Sequence, residues 1–127
     1  MTEKKKILVV DDESQIAEMI ADFCRQCGFE TKVATSGQSA IETAKSFLPD
    51  LITLDLMMPG LSGLEVIEAL KKEEATKKIP VIVISSYANA AEAQEALKLS
   101  QAAIVKPLKM KVLEEKIGAV LAGNCNK

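Results

Sequence analysis

Five polar side chains stand directly after apolar runs. Asp11 and Asp12 follow Ile7-Leu8-Val9-Val10, and Asp55 follows Leu51-Ile52-Thr53-Leu54. Ser85 follows Val81-Ile82-Val83-Ile84, and Lys106 follows Ala102-Ala103-Ile104-Val105. Gathered in one place, three carboxylates, a hydroxyl and a lysine make a coherent reactive set. Carboxylates about 4 Å apart repel by roughly 4 kcal/mol per pair at an effective dielectric near 20, before solvent relaxes. A divalent cation relieves that repulsion, and hard oxygen ligands that keep several waters suit Mg²⁺. The lysine adds positive charge on the other side. Such a set fits a carboxylate nucleophile that accepts a phosphoryl group while metal and lysine neutralise the developing charge. Each residue also has a plainer reading. Asp55 alone suits a turn or a helix cap. Asp11 and Asp12 suit a helix N-terminus through its dipole. Ser85 suits a strand-end hydroxyl bonded to backbone, and Lys106 a solvated surface lysine.

The elements that must position these residues follow a simple rhythm. Short, continuous apolar runs read as buried strands of a parallel sheet. Between them lie amphipathic helices. The first helix carries Ile16, Met19, Ile20, Phe23, Cys24 and Cys27 on one stripe and stops at Gly28. Thr31 to Ala34 is a weaker strand, with Lys32 pointing to a sheet edge. Ser36-Gly37 opens a second helix with Ala40, Ile41, Ala44, Phe47 and Leu48 on one face, ended by Pro49. Ser62 and Glu65 have capping-box spacing at the start of a third helix that carries Val66, Ile67 and Leu70 inward. Asn89 and Glu92 repeat that spacing before an alanine-rich helix running to about Leu99. Met110, Leu113, Ile117, Val120 and Leu121 mark a last helix, and residues 122–127 read as a frayed tail.

Strand and helix alternate five times. That pattern predicts an α/β fold: a five-stranded, doubly wound parallel sheet with helices on both faces. In such sheets the ligand site lies beyond the carboxyl ends of the strands, at the switch in strand order. The polar residues named above stand at that edge.

The totals exclude several classes. The chain has 127 residues, enough for one core and too few for two ordinary domains. Net charge is -2, so nothing points to nucleic acid or an anionic membrane. The apolar runs are far too short for a membrane span. Met1 to Lys6 runs straight into a strand without a signal-peptide cleavage pattern, which gives the expectation of a cytoplasmic protein. Three cysteines fit a reducing compartment. Cys24 and Cys27 form a C-x-x-C, but near the end of a helix instead of its start, so core packing is the expectation for both. With no histidine in the chain, no metal site extends from them. There is no Gly-rich phosphate loop. Position 57 is Met, so the D-x-D pair of a dehalogenase-type phosphohydrolase is missing. A flavin- or nucleotide-binding protein on a similar sheet is disfavoured by the acidic first loop.

Four motifs in order carry a family resemblance: Ile7 to Glu13, Asp55 to Gly63, Pro80 to Ser86, and Lys106-Pro107. The chain resembles the receiver domains of two-component response regulators, over nearly its whole length from Lys6 to about Leu121. The resemblance implies a flavodoxin-like (βα)5 fold with strand order 2-1-3-4-5. It implies one receiver domain over residues 1–127, with a core of about 6–121. It implies that Asp55 takes a phosphoryl group from the phosphohistidine of a sensor histidine kinase, or from a phosphotransfer protein. Asp12 and Asp55 would ligate Mg²⁺ with the backbone carbonyl of Met57, and Asp11 would hold the metal through water. Ser85, in preference to Ser86, would bond one phosphoryl oxygen and Lys106 another. The Lys106-Pro107 bond is expected to be cis. The protein would be a signalling module that modifies itself, not a turnover enzyme, and its helix-4, strand-5, helix-5 surface would meet an unidentified downstream protein. The alternative is a phosphorylation-independent interaction module on the same fold.

Two departures bear on how phosphorylation is read out. Leu99-Ser100 stands where the family usually has Gly-Ala, and Ala103 where it often has an aromatic switch residue. Alanine has no rotamer to switch. Tyr87, the only tyrosine, lies just past Ser85 and is the candidate to take part in the readout; its plainer reading is a ring that covers apolar surface.

Overall fold

A computed structural model describes residues 4–56, 58, 60–85 and 91–126. The element order is β1 (Lys6–Val10), α1 (Ser14–Gln26), β2 (Glu30–Ala34), α2 (Gly37–Phe47), β3 (Leu51–Asp55), α3 (Gly63–Lys72), β4 (Val81–Ser85), α4 (Ala91–Leu99), β5 (Ala102–Val105) and α5 (Met110–Asn126). All strand pairs are parallel, and the sheet order is β2-β1-β3-β4-β5.

Side chains on a strand alternate between faces, and two cores result. Leu8, Val10, Ile52, Leu54, Val81 and Val83 meet Ala40 and Ala44 of α2, Val66, Ile67 and Leu70 of α3, and Ala96 of α4. Ile7, Val9, Leu51, Ile82, Ile84 and Ile104 meet Ala17, Ile20, Ala21 and Cys24 of α1 and Leu113 and Ile117 of α5. The central strands β3 and β4 are buried along their whole length. This is why their sequences are continuously apolar instead of alternating. β2, at the edge, exposes Glu30 and Lys32.

Helix ends follow the expected chemistry. Ser36 caps α2 by accepting from the Ser39 N–H at 3.1 Å. Ser62 and Glu65 form a reciprocal capping box on α3.

Three expectations are corrected. Cys24 is buried but Cys27 is exposed, because Cys27 is the C-cap of α1 and the buried stripe ends one turn earlier. Met19 and Leu48 are also exposed. Met19 flanks the stripe made by Ala17, Ile20, Ala21 and Cys24. Leu48 leaves the α2 face because it adopts a left-handed conformation, φ 51°, immediately before Pro49. The last helix, α5, runs from Met110 to Asn126. Once a helix exists, each added residue gains a hydrogen bond without a new nucleation cost. Nothing between Ala122 and Asn126 breaks it by removing a backbone N–H.

Candidate functional site

The sheet order places β1 beside β3, where the chain reverses its direction of winding. The crevice of such a sheet opens there, beyond the strand ends. β1 delivers Asp11 and Asp12 to it, and β3 delivers Asp55. Backbone bonds extend the ladder past the strands and hold these positions. The Asp11 N–H donates to the Ala34 carbonyl at 3.1 Å, and the Leu56 N–H donates to the Ile84 carbonyl at 3.2 Å. On the other side, the Lys106 N–H donates to the Ser85 carbonyl at 2.9 Å.

The three carboxylates converge. One oxygen each from Asp11, Asp12 and Asp55 lies within 4.8 Å of the others. Asp11 and Asp55 are each 3% exposed, and Asp12 is half-buried. Lys106 Nζ reaches Asp55 Oδ2 at 3.4 Å, with 30% of its side chain exposed. A single lysine thus faces three carboxylates, and the excess negative charge is left inside the site. The Asp11 carboxyl is pushed up from the ordinary 3.8 to about 6. Burial is the main cause, and the charges of Asp55 and Asp12 add to it. The Glu13 N–H, which donates to Asp11 Oδ1 at 2.9 Å, and the charge of Lys106 oppose the shift. A buried, oxygen-only donor set with surplus negative charge fits a hard divalent cation and does not suit a free anion.

Ser85 ends β4 and is buried, with Val105 its partner in the register. The Lys106–Pro107 peptide is cis. Ala103 is half-buried on β5, opposite Val83. The backbone carbonyl of Met57, the side chains of Ser86 and Tyr87, and the cap at Asn89 lie outside the described residues.

Two contributors to the site have no obvious mark in the sequence. Gly63 opens α3 against the end of β3. A Cβ there would stand 2.6 Å from Leu56 Cα and 2.9 Å from the Asp55 carbonyl oxygen. Its N–H donates to the Leu56 carbonyl at 3.2 Å, tying α3 to the residue after Asp55. The glycine is legible as part of a motif, but this close approach is not. Thr53, two residues before Asp55 on the same face of β3, is 1% exposed. Its Oγ1 is the buried side-chain polar atom left without a partner among the described residues.

The C-x-x-C pair takes no part. Burial pushes the Cys24 thiol up to about 11. Slight desolvation at the helix end, and then the charge of Glu114, raise that of the exposed Cys27. Both thiols stay protonated near neutrality, and neither lies at the carboxylate cluster.

Comparison with known proteins accords with this geometry. The model of the response regulator receiver domain matches residues 7–118. The chain belongs to that family. The receiver domain is 33% identical over 126 residues to the DNA-binding response regulator MtrA of Mycobacterium tuberculosis, covering 97% of this chain and 53% of MtrA. It is 36% identical over 118 residues to the phosphate regulon transcriptional regulatory protein PhoB of Escherichia coli, covering 92% of this chain and 52% of PhoB. The receiver domain therefore spans about half the length of these relatives. Among solved structures, the receiver domain of the sensor histidine kinase PA1611 from Pseudomonas aeruginosa has a TM-score of 0.85 at 21% identity. The match covers 94% of this chain and 99% of that one, and that structure carries a magnesium ion in its active site cleft. Among the described residues, no helix is long and apolar enough to cross a membrane.

Proposed function

We propose that Asp55 is the phosphoryl acceptor of this receiver domain. The observation that carries the reading is the convergence of Asp11, Asp12 and Asp55 oxygens within 4.8 Å, with Lys106 Nζ 3.4 Å from Asp55. Asp12 and Asp55, with the backbone carbonyl of Met57, would hold Mg²⁺, and Asp11 would hold it through water. When bound, the metal neutralises charge on the transferring phosphoryl group. The Asp55 carboxylate attacks phosphorus and forms an acyl phosphate. The bond between phosphorus and the donor's imidazole nitrogen breaks, and the imidazole leaves. Lys106 pairs with one phosphoryl oxygen, and the Ser85 hydroxyl donates to another. The donor is a sensor histidine kinase or a phosphotransfer protein, and the setting is the cytoplasm.

Phosphorylation shifts a two-state equilibrium of the surface formed by α4, β5 and α5, where a downstream protein binds. Tyr87 takes part in that readout in place of a ring at Ala103. The chemistry is one self-modification per molecule, without turnover of a substrate.

The test is incubation with acetyl phosphate and Mg²⁺, followed by mass spectrometry. A Mg²⁺-dependent phosphoryl adduct is expected on Asp55 and is absent from Asp55→Asn. Wild-type protein that forms no such adduct sinks the reading in favour of a phosphorylation-independent interaction module.

A further inference from the structure

Asp11 and Asp55 are joined in a second way, around the outside of the carboxylate cluster. The β1–β3 register ends at Val10 and Leu54, one residue short of both aspartates. Beyond it, the Asp11 N–H donates to the Ala34 carbonyl at 3.1 Å. Three residues on, Gly37 opens α2. That much chain spans about 10 Å at most, so it has little slack. Ser36 fixes where it ends by capping the helix, its Oγ accepting from the Ser39 N–H at 3.1 Å.

Gly37 is buried and pressed against the loop between β3 and α3. A Cβ on it would stand 2.5 Å from Leu61 Cβ, 2.9 Å from Val66 Cγ2 and 3.1 Å from the Leu61 carbonyl oxygen. Two residues past Leu61, the Gly63 N–H donates to the Leu56 carbonyl at 3.2 Å, next to Asp55. Contacts thus run from Asp11 through Ala34, Gly37, Leu61, Gly63 and Leu56 to Asp55. They work against a standing force, because carboxylates gathered within 4.8 Å push apart.

We propose that Gly37 is a positioning residue for the metal site. By letting α2 rest directly on Leu61, it sets the spacing between the Asp11 and Asp55 strand ends, and with it the Mg²⁺ affinity of the cluster. The inference rests on the reading of Asp11, Asp12 and Asp55 as that site. A methyl at position 37 meets Leu61 Cβ, which no side-chain rotation can move. Ala40, Ala44 and Phe47 hold α2 in the core, so the loop yields and draws the Asp55 strand end with it. Mg²⁺ demands near-ideal octahedral geometry, so even a small shift of one carboxylate weakens its binding.

Mg²⁺ titration of the whole chain, followed by the amide NMR signals of Asp11 and Asp12, tests this without any phosphoryl donor. Gly37→Ala is expected to raise the Mg²⁺ dissociation constant at least about threefold. In a Leu61→Gly background, where the opposing Cβ is gone, the same substitution should change it less than about 1.5-fold. A glycine with a merely structural role lowers the urea midpoint when replaced and leaves the affinity of the folded protein unchanged. That result overturns the proposal, as does an equal loss of affinity in both backgrounds. If Gly37→Ala does not fold in plain buffer, it is titrated beside wild type in trimethylamine N-oxide, which favours the compact state, and the same outcomes decide. Wild type that binds no Mg²⁺ overturns the metal site and the role of Gly37 with it. Mg²⁺ binding that depends on position 37, in protein that forms no adduct on Asp55, overturns the phosphoryl-acceptor reading and leaves the role of Gly37 standing.

Discussion

The two ends of the crevice are built differently. At the β1–β3 end, Asp11 and Asp55 are almost wholly buried, the Glu13 N–H bonds Asp11, and Gly63 clamps α3 onto the end of β3. At the β4–β5 end, small residues face one another, a cavity remains, and Val105 is exposed. The first end concentrates cost: charge kept from water, a helix pressed onto backbone, a hydroxyl without a partner. The second leaves room. Interiors are close-packed and respond to strain in discrete rearrangements. The contrast teaches that a buried carboxylate cluster and a strand pair of small side chains make opposite demands on packing.

The largest expected effect falls at the crowded end. Asp55→Asn should lower acyl-phosphate formation by at least about 100-fold, since the amide lacks the charge and nucleophilicity of the carboxylate. Mass spectrometry after acetyl phosphate treatment reads it. Gly63→Ala comes next. Its methyl meets backbone at Leu56 and Asp55, which cannot rotate aside. A loss of about 1–3 kcal/mol in urea unfolding is expected, with slower phosphorylation because the Asp55 strand end is displaced.

Asp11→Asn tests whether charge is the stored cost. The folded Asp11 carboxyl binds its proton more tightly than the unfolded one, about 6 against 3.8. Its contribution to stability is therefore fully present below about pH 4 and lost as pH rises through about 6. Metal-free wild-type protein should lose stability relative to Asp11→Asn across that window. The asparagine variant should flatten the dependence and gain on the order of 2 kcal/mol at pH 7, while binding Mg²⁺ more weakly. A wild type that loses no stability relative to Asp11→Asn between pH 4 and 6 would contradict the picture of a carboxylate held at a cost by burial and its neighbours' charge.

Thr53→Val sharpens the same point without charge. Replacing a buried hydroxyl that has no partner among the described residues by a methyl should stabilise the fold by about 1 kcal/mol. The smallest effect belongs to the open end. Ala103→Leu should add about 0.5–1 kcal/mol by filling the cavity. If it destabilises instead, β4, β5 and α4 are not underpacked and the contrast collapses.

Much of the fold is legible in the residues. Continuous apolar runs such as Val81 to Ile84 mark buried strands, and Ser62 with Glu65 marks a helix start. Where the pattern misleads, the cause is local geometry. Cys27 lies on the periodic stripe of α1 but falls at its cap, and Leu48 is turned outward by the conformation it takes before Pro49. The site is legible in part. Asp11, Asp12, Asp55 and Lys106, which the structure brings together, stand out in the sequence because an apolar strand has no packing reason to end on such groups. Their separations are not identifiable, since three strands from distant parts of the chain contribute.

The sequence by itself determined the alternation of strand and helix, the two-sided burial of the sheet and the residue types at its carboxyl edge. These depend on periodicity and chemistry, which are properties of short segments. Only the tertiary structure decided that three carboxylates come within 4.8 Å of one another and that Lys106 Nζ stands 3.4 Å from Asp55. It alone showed that Gly63 is pressed against the Asp55 strand end and that Ala103 leaves a cavity beside Ser85. Distance and empty volume arise where separate elements meet, and no single segment encodes them.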